Sequence, residues 1–279
     1  MKPAIDSHQH FWQYRPDTHA WITNKMDVLR QDFLPPDLQP LLAQQEIAGC
    51  VAVQASQTKQ ETTFLLSLAE QYDFIKGVVG WVDLQDYNVK HQLTQWIDHP
   101  KLVGIRHQVQ DEADEQFLLR PEFLRGVKAL REFNLTYDLL ITERQLPTAL
   151  SFVTYLPDTK IVLDHIAKPR IAQHTLSPWQ ENIRSLAQYP NVYCKLSGMV
   201  TEANWQQWSY EDLVPYLEVV VEAFGTHRLL FGSDWPVCRL AATYEEVVET
   251  IRRYFEQFSE EERAQIFGGN ALDFYHLTL

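Results

Sequence analysis

The chain has 279 residues, of which 45% are apolar and 22% are charged, and its formal net charge at pH 7 is −13. This composition predicts a substantial packed core and excludes a disordered protein. The negative net charge argues against nucleic acid or an anionic membrane as a partner, because both attract clustered lysine and arginine, and it favours a small-molecule substrate.

Short apolar runs rich in β-branched residues recur along the chain, and each predicts a strand. Their continuous apolar character is typical of strands that are buried on both faces in a parallel sheet. Helical patterns lie between the runs: Pro121 suits the first turn of one helix, and residues 209–225 form another pattern. Eight alternating units predict an α/β fold, a single-domain (β/α)8 TIM barrel over residues 1–279. The predicted strands cover residues 4–10, 50–56, 77–84, 102–108, 135–141, 160–166, 191–198 and 229–236.

A long connection rich in aromatic residues, residues 11–36, separates the first predicted strand from a helix that we expect to start near Pro36. Loops of this length inside a compact domain are often lids or binding loops. The aromatic side chains either wall a substrate pocket or cover a rim of the barrel core, and the sequence leaves both alternatives open. They are Phe11, Trp12, Tyr14 and Trp21.

Polar and ionisable side chains collect where the apolar runs end. Catalytic side chains of parallel barrels lie at the carboxyl ends of the strands, so these residues are candidates for a site. A single histidine or aspartate there is more often structural. Most of the runs, however, carry an ionisable residue at this end. Because a buried charge without a partner costs roughly several kcal/mol, packing alone does not explain the pattern. The candidates are His8, His10, Gln54, Trp81, Asp83, Arg106, His107, Tyr137, Asp138, Asp164, His165, Lys168, Lys195, Ser197, Ser233 and Asp234.

His8 and His10 lie two residues apart at the end of the first predicted strand. Side chains at this spacing point to the same face of a strand, so both imidazoles can address one atom in the mouth of the barrel. That atom is either a divalent metal or a substrate oxygen. In a closed barrel the eighth strand neighbours the first, and Asp234 stands at its end, which strengthens both interpretations.

Several short motifs occur along the chain from residue 4 to about residue 275: "DSHQHFW", "VQAS", "GVVGWVDL", "GIRHQ", "LDHIAKP", "CKLSGMVTEA", "FGSDWPV" and "GGNALDFY". Together they resemble the motifs of the amidohydrolase superfamily, in its branch of sugar lactonases and pyrone-dicarboxylate lactonases.

The resemblance implies that His8, His10, His165 and Asp234 are the residues that hold a metal if one is bound. The superfamily also places a histidine on strand five, where this chain has Tyr137 and Asp138, and "GIRHQ" offers no bridging lysine. We therefore expect no binuclear centre: either no cofactor is required, or one divalent metal is bound, with zinc as the first choice.

The resemblance implies hydrolysis of a sugar-derived lactone to its acid, and ester hydrolysis needs an activated water and a stabilised oxyanion. We assign Asp234 as the general base. The remaining predicted roles are orientation of water or polarisation of the carbonyl by His165 and His10, fixed positive charge from Lys195, Arg106 and His107, hydrogen bonds from Tyr137 and Asp138 to sugar hydroxyls, and further substrate contacts from Trp12 and Trp81.

An aldonolactone such as L-fucono- or L-rhamnono-lactone is the leading candidate for the substrate. Two alternatives stay open: a metal-dependent decarboxylase of the same superfamily, and a barrel that binds sugar acids without catalysis. A serine-type mechanism is not expected, because the sequence has no G-x-S-x-G motif.

Several other features are absent from the sequence. No phosphate-binding loop of the form G-x-x-x-x-G-K-[ST] occurs, and none of the cysteines Cys50, Cys194 and Cys238 belongs to a C-x-x-C pair. No apolar stretch reaches the roughly 18 residues of a membrane-spanning helix, and no secretory signal is visible. We expect a cytoplasmic protein, and a homo-oligomer is an open alternative to a monomer.

Overall fold

The computed structural model describes residues 2–96 and 98–278 and contains one sheet of eight parallel strands, in the order in which they occur along the chain. Each predicted run overlaps one strand, and the runs at 50–56 and 77–84 begin only after the start of the strands they mark, so the predicted (β/α)8 barrel is confirmed. The strands are β1 (Ala4–Gln9), β2 (Ile47–Val53), β3 (Ile75–Gly80), β4 (Leu102–His107), β5 (Thr136–Leu139), β6 (Ile161–Leu163), β7 (Val192–Leu196) and β8 (Leu229–Phe231).

The sheet curls until its first and last strands meet. The Ser7 hydroxyl on β1 donates to the carbonyl of Phe231 on β8 at 2.6 Å. Beyond the end of β8, the Asp234 amide donates to the His8 carbonyl at 2.8 Å, and the His10 amide donates to the Trp235 carbonyl at 2.7 Å. This seam places Asp234 beside both histidines, as the barrel prediction requires.

The helices that follow the strands cover the outside of the sheet. Pro35 and Pro121 occupy first helical turns, where the missing amide hydrogen costs no hydrogen bond. The segment predicted at 209–225 forms one helix that begins after a Ser209 cap and ends at Phe224, just before Gly225. The helices are α1 (Pro35–Gln44), α2 (Lys59–Gln71), α3 (Val89–Leu93), α4 (Pro121–Leu130), α5 (Leu146–Thr154), α6 (Trp179–Leu186), α7 (Met199–Glu202), α8 (Tyr210–Phe224), α9 (Tyr244–Tyr254), α10 (Glu260–Ala264) and α11 (Asn270–Tyr275). Within the described residues, no helix is both long and apolar enough to cross a membrane.

The core has two layers. The larger layer lies between the strands and the surrounding helices. The smaller layer brings together strand residues such as Ile5, Val79 and Leu230 with Phe274 and Tyr275 of α11. The last helix therefore packs against the inward-facing side chains of the barrel.

The aromatic residues of the long connection pack against each other. Phe11 and Trp12 are fully buried, and the Trp12 ring meets Trp21 and Phe33 edge to face at 5.7 and 5.4 Å between centroids. The main chains of Trp12 and Phe33 also pair as an isolated bridge. The first helix begins at Pro35, one residue before the predicted position.

Candidate active site

Three imidazoles surround one carboxylate at the carboxyl end of the barrel. Asp234 Oδ1 lies 3.3 Å from Nε2 of His10, 3.7 Å from Nε2 of His8 and 4.0 Å from Nε2 of His165. All four side chains are buried, with at most 6% of any of them exposed. The structure therefore brings together the four residues that the sequence selected as metal ligands or catalytic groups.

An unusual backbone aims two of these side chains. Asp234 has a φ of 57°, and residues His165 to Lys168 after β6 form a left-handed turn with φ between 48° and 62°. Non-glycine residues pay roughly 1–2 kcal/mol each for this conformation, and such strain concentrates at functional sites. The surrounding fold holds both residues in a conformation that turns them toward the same point.

The absence of a side chain at Gly198 leaves space for the His165 ring. This glycine follows β7 and has a φ of 62°, and a Cβ atom placed on it would lie 2.5 Å from Nδ1 of His165. Next to it, the Ser197 hydroxyl lies 2.9 Å from the same nitrogen and fixes the ring orientation. The end of β7 is therefore shaped around the histidine that follows β6.

Hydrogen bonds on the far side of His10 decide which of its nitrogens carries the proton. Nδ1 lies 2.7 Å from the Val53 carbonyl, which can only accept, so Nδ1 is protonated. Burial lowers the pKa of His10, and the neutral ring therefore turns the lone pair of Nε2 toward Asp234. Two acceptors then face each other at 3.3 Å, an arrangement that a water proton or a divalent cation between them satisfies.

The charges of the site follow from burial and contact. Burial lowers the pKa of His165 to about 4 and holds the pKa of His8 well below its ordinary value. Burial alone would raise the pKa of Asp234, but the three imidazoles outweigh it and hold that pKa below the usual range. The lowered pKa of Asp234 favours its ionised carboxylate at neutral pH, which is the state that a general base or a metal ligand needs.

These residues fit a single divalent metal. Ligand atoms of His8, His10 and Asp234 lie within 4.8 Å of one another, and imidazole with carboxylate is a donor set that suits zinc. A metal at Nε2 of His8 requires a proton on Nδ1, and Asp164 Oδ1 lies 3.3 Å from Nδ1 as its acceptor. That buried oxygen also lies 3.0 Å from Lys195 Nζ.

A buried ion network lies next to His8 and consists of Arg106, Asp138, Asp164 and Lys195. Lys195 Nζ is 2.5 Å from Asp138 Oδ2, 3.0 Å from Asp164 Oδ1 and 3.1 Å from Nδ1 of His8. Arg106 Nη1 is 3.0 Å from Asp164 Oδ2 and 3.3 Å from Nε2 of His8. Two cations and two carboxylates thus balance each other in the interior.

The network perturbs its two acids in opposite directions. Burial raises the pKa of Asp138 to about 6, against the attraction of Lys195. Burial also disfavours the charge on Asp164, but Lys195, His8 and Arg106 together hold the pKa of that carboxyl well below its ordinary value. Lys195 itself is completely buried, and its contact with the group around Asp234 is the one with Nδ1 of His8.

Tyr137 and Asp138 were both assigned to sugar hydroxyls, and the structure separates them. Adjacent strand residues point to opposite faces, and only Asp138 joins the ion network. The Tyr137 ring packs toward the helices, 6.1 Å from Phe123 and 5.9 Å from Phe152. Its buried hydroxyl has no hydrogen-bond partner within the part of the chain that the structure describes.

The other predicted contacts lie beside the central group. His107 Nε2 is 2.8 Å from Glu112, and its ring stacks on Phe117 at 4.9 Å. The Trp81 indole nitrogen lies 3.4 Å from Nδ1 of His107, so these two predicted residues are neighbours. Trp12 is buried behind the histidines, with its ring centroid 6.4 Å from that of His10.

Sequence reasoning gave no role to several residues that shape the site. Asp6 accepts from the Ser233 amide at 2.9 Å and from the Ser233 hydroxyl at 2.6 Å, and so ties β1 to the segment that carries Asp234. The Tyr275 hydroxyl on α11 donates to Asp138 at 2.7 Å. Asp164 directly follows β6 and is one of the strand-end candidates, whereas Asp6 lies inside β1 and Tyr275 on α11, where no strand-end pattern selects them.

Glu202 and Lys168 lie at the more exposed side of the site. Lys168 Nζ is 3.9 Å from Glu202, and each side chain is about one quarter exposed. Burial raises the pKa of Glu202, and the Asp234 charge adds to the effect, whereas Lys168 opposes it.

Comparison with known proteins assigns the family. The amidohydrolase family model matches residues 5–277. The chain is 43% identical to an L-fucono-1,5-lactonase of Burkholderia multivorans over 98% of this chain and 96% of that protein, and 38% identical to an L-fucono-1,5-lactonase of Burkholderia ambifaria over 99% and 97%. A crystal structure of an amidohydrolase from Burkholderia multivorans with bound zinc superposes with a TM-score of 0.96, at 43% identity, over 99% of this chain and all of the other. The chain belongs to the amidohydrolase family.

Proposed function

We propose that this chain hydrolyses a sugar-derived lactone to the corresponding acid, with L-fucono-1,5-lactone as its substrate. The observation that carries the proposal is the buried Asp234 carboxylate with three imidazole nitrogens within 4.0 Å, in a chain 43% identical over 98% of its length to a protein named L-fucono-1,5-lactonase. The L-rhamnono-lactone of our sequence prediction is the second substrate to test.

Asp234 acts as the general base in this proposal. Its carboxylate accepts a proton from a water molecule as the water oxygen bonds to the lactone carbonyl carbon. The tetrahedral adduct then breaks the bond to the ring oxygen, and the proton held by Asp234 passes to that oxygen as it leaves. The product is the open-chain hydroxy acid, and the carboxylate is regenerated.

The histidines orient the reacting groups. The Nε2 lone pair of His10 accepts a hydrogen bond from the attacking water, because Nδ1 is committed to the Val53 carbonyl. His165, fixed by Ser197, polarises the carbonyl of the substrate. A divalent metal, when bound by His8, His10, His165 and Asp234, supplies Lewis acidity and lowers the pKa of the water.

The surrounding charged groups complete the proposal. Arg106 and Lys195 act as fixed positive charges next to His8, and Lys168 with Glu202 binds substrate hydroxyls at the exposed side. Asp138 contributes by holding Lys195. A cytoplasmic location and assembly into a homo-oligomer remain predictions.

A pH-indicator assay with a panel of aldonolactones tests the proposal. The panel includes L-fucono- and L-rhamnono-lactone, each with and without chelator and each corrected for spontaneous hydrolysis. We expect acid release from L-fucono-1,5-lactone, and its loss in Asp234→Asn with substrate binding retained. Binding without acid release would favour the non-catalytic barrel, and release of carbon dioxide from an aromatic acid would favour the decarboxylase.

A further inference from the structure

Two cations approach His8 from opposite sides of its ring. Lys195 Nζ lies 3.1 Å from Nδ1, and Arg106 Nη1 lies 3.3 Å from Nε2. Ammonium and guanidinium groups only donate hydrogen bonds, whereas a neutral imidazole has a single lone pair. His8 can therefore accept from only one of the two cations at a time.

Each ring nitrogen also has an acceptor within reach. Asp164 Oδ1 is 3.3 Å from Nδ1, and Asp234 Oδ1 is 3.7 Å from Nε2. Two hydrogen-bonding states follow. In the Lys195-bonded state, Nδ1 accepts from Lys195 and the proton on Nε2 faces Asp234. In the Asp164-bonded state, the proton on Nδ1 faces Asp164, and the lone pair of Nε2 accepts from Arg106 Nη1 or binds a metal in its place.

Only the Asp164-bonded state leaves His8 able to bind a metal through Nε2. The Lys195-bonded state directs an N–H group at the position that the metal would take. The heavy atoms favour contact with Lys195, because Lys195 Nζ lies 3.1 Å from Nδ1, whereas Asp164 Oδ1 lies farther away at 3.3 Å and is itself 3.0 Å from the Lys195 ammonium group.

We propose that Lys195 weakens metal binding at this site by competing for His8, and that Asp164 strengthens it by accepting the Nδ1 proton. The positive charge of Lys195 also weakens metal binding. A divalent cation at Nε2 of His8 would be repelled by the ammonium group that lies 3.1 Å from Nδ1 of the same ring. The pair therefore sets how readily the protein takes up zinc. This inference rests on the metal site of the proposed function and does not depend on the identity of the substrate.

Opposite changes in zinc affinity test the proposal. The double variant Asp138→Asn/Lys195→Met removes one positive and one negative charge together, so it leaves no new unpaired charge from that ion pair. We expect it to bind Zn²⁺ about tenfold more tightly than the wild type, and Asp164→Leu, which offers no acceptor for the Nδ1 proton, to bind about tenfold more weakly, in the range found for groups that orient metal-binding histidines. The dissociation constants come from competition with a chromophoric chelator.

Tyr216→Phe is the control for general loss of stability. Its buried ring carries a hydroxyl that lies 3.3 Å from the Arg170 carbonyl and 3.2 Å from the Thr175 carbonyl, away from the histidines. We expect its zinc affinity to match that of the wild type. Weaker binding by both test variants, or unchanged binding by both, overturns the proposal.

A second measurement keeps the proposal testable if a variant does not fold. Long-range ¹⁵N–¹H correlation spectra of the wild-type protein distinguish the two tautomers of His8. After removal of metal we expect the proton on Nε2, and after addition of Zn²⁺ we expect it on Nδ1. A proton on Nδ1 in the metal-free protein overturns the proposal. Both measurements use no lactone, so failure of the proposed enzymatic function leaves them unaffected.

Discussion

Gly198→Ala tests whether the position of His165 matters for the reaction. The new Cβ would lie 2.5 Å from Nδ1, 2.8 Å from Cγ and 3.1 Å from Cβ of His165, whereas ordinary contacts begin at 3.4 Å. The His165 ring therefore has to move by about 1 Å, because the closest contact of 2.5 Å must lengthen to at least 3.4 Å. The movement also strains the 2.9 Å contact between Nδ1 and the Ser197 hydroxyl.

Two magnitudes follow from this geometry. A displacement of about 1 Å at a catalytic group costs on the order of 100-fold in rate, which corresponds to about 2.7 kcal/mol in the activation free energy. The φ of 62° costs an alanine roughly 1–2 kcal/mol of folding free energy. Because domains of this kind are stable by about 5–15 kcal/mol, the variant should remain folded.

The assay combines lactone hydrolysis with denaturant unfolding. Gly225→Ala is the matched control, because Gly225 has a φ of 63° and its new Cβ would meet only the His227 ring, at 2.9 Å. We expect both variants to lose similar stability, and only Gly198→Ala to lose about 100-fold in kcat/KM. Activity of Gly198→Ala within threefold of Gly225→Ala would refute the argument that this glycine positions His165.

Three further predictions concern buried groups. Tyr275→Phe removes the hydroxyl that donates to Asp138. Because this contact orients the buried ion network and does not touch the substrate, we expect kcat to fall about tenfold and KM to change less than twofold. An unchanged kcat would contradict this prediction. Burial raises the pKa of Glu61 above its ordinary 4.5, so its protonated form stabilises the fold at low pH and that stability is lost as the pH rises through the raised pKa. The unfolding free energy of Glu61→Gln relative to the wild type should accordingly increase between pH 4 and pH 7, roughly, and a flat difference would contradict the assignment. Burial raises the pKa of the thiols of Cys50, Cys194 and Cys238. A thiol-specific chromogenic disulfide should therefore react with none of them in the folded protein and with all three after unfolding. Rapid reaction of the folded protein would contradict this prediction.

The barrel and the centre of the site could be predicted from the sequence because both depend on local patterns. Continuous apolar runs predict buried parallel strands, and polar residues at their ends predict a common edge. His8 and His10 lie on the same strand face by their spacing alone. Asp234 then follows from the closure of the barrel, which joins the eighth strand to the first.

The contacts between side chains from different strands could not be predicted in this way. Tyr137 and Asp138 are neighbours in the sequence, but which of them faces inward depends on the register of β5 in the sheet. Lys195 looked like a group that meets the substrate, and its complete burial next to two carboxylates becomes visible only when β5, β6 and β7 are placed side by side. Tyr275 reaches this network from a helix that no strand-end pattern includes.

The rate of hydrolysis should depend on whether the first and last strands of the barrel remain hydrogen-bonded to each other. The general base and two of its histidines come from opposite ends of the chain, and they face each other only while the Asp234 amide is bonded to the His8 carbonyl. Any partial opening at this edge separates them before the rest of the sheet is disturbed. The exchange of the Asp234 and His10 amide hydrogens should therefore rise in parallel with loss of activity as denaturant is added, ahead of global unfolding.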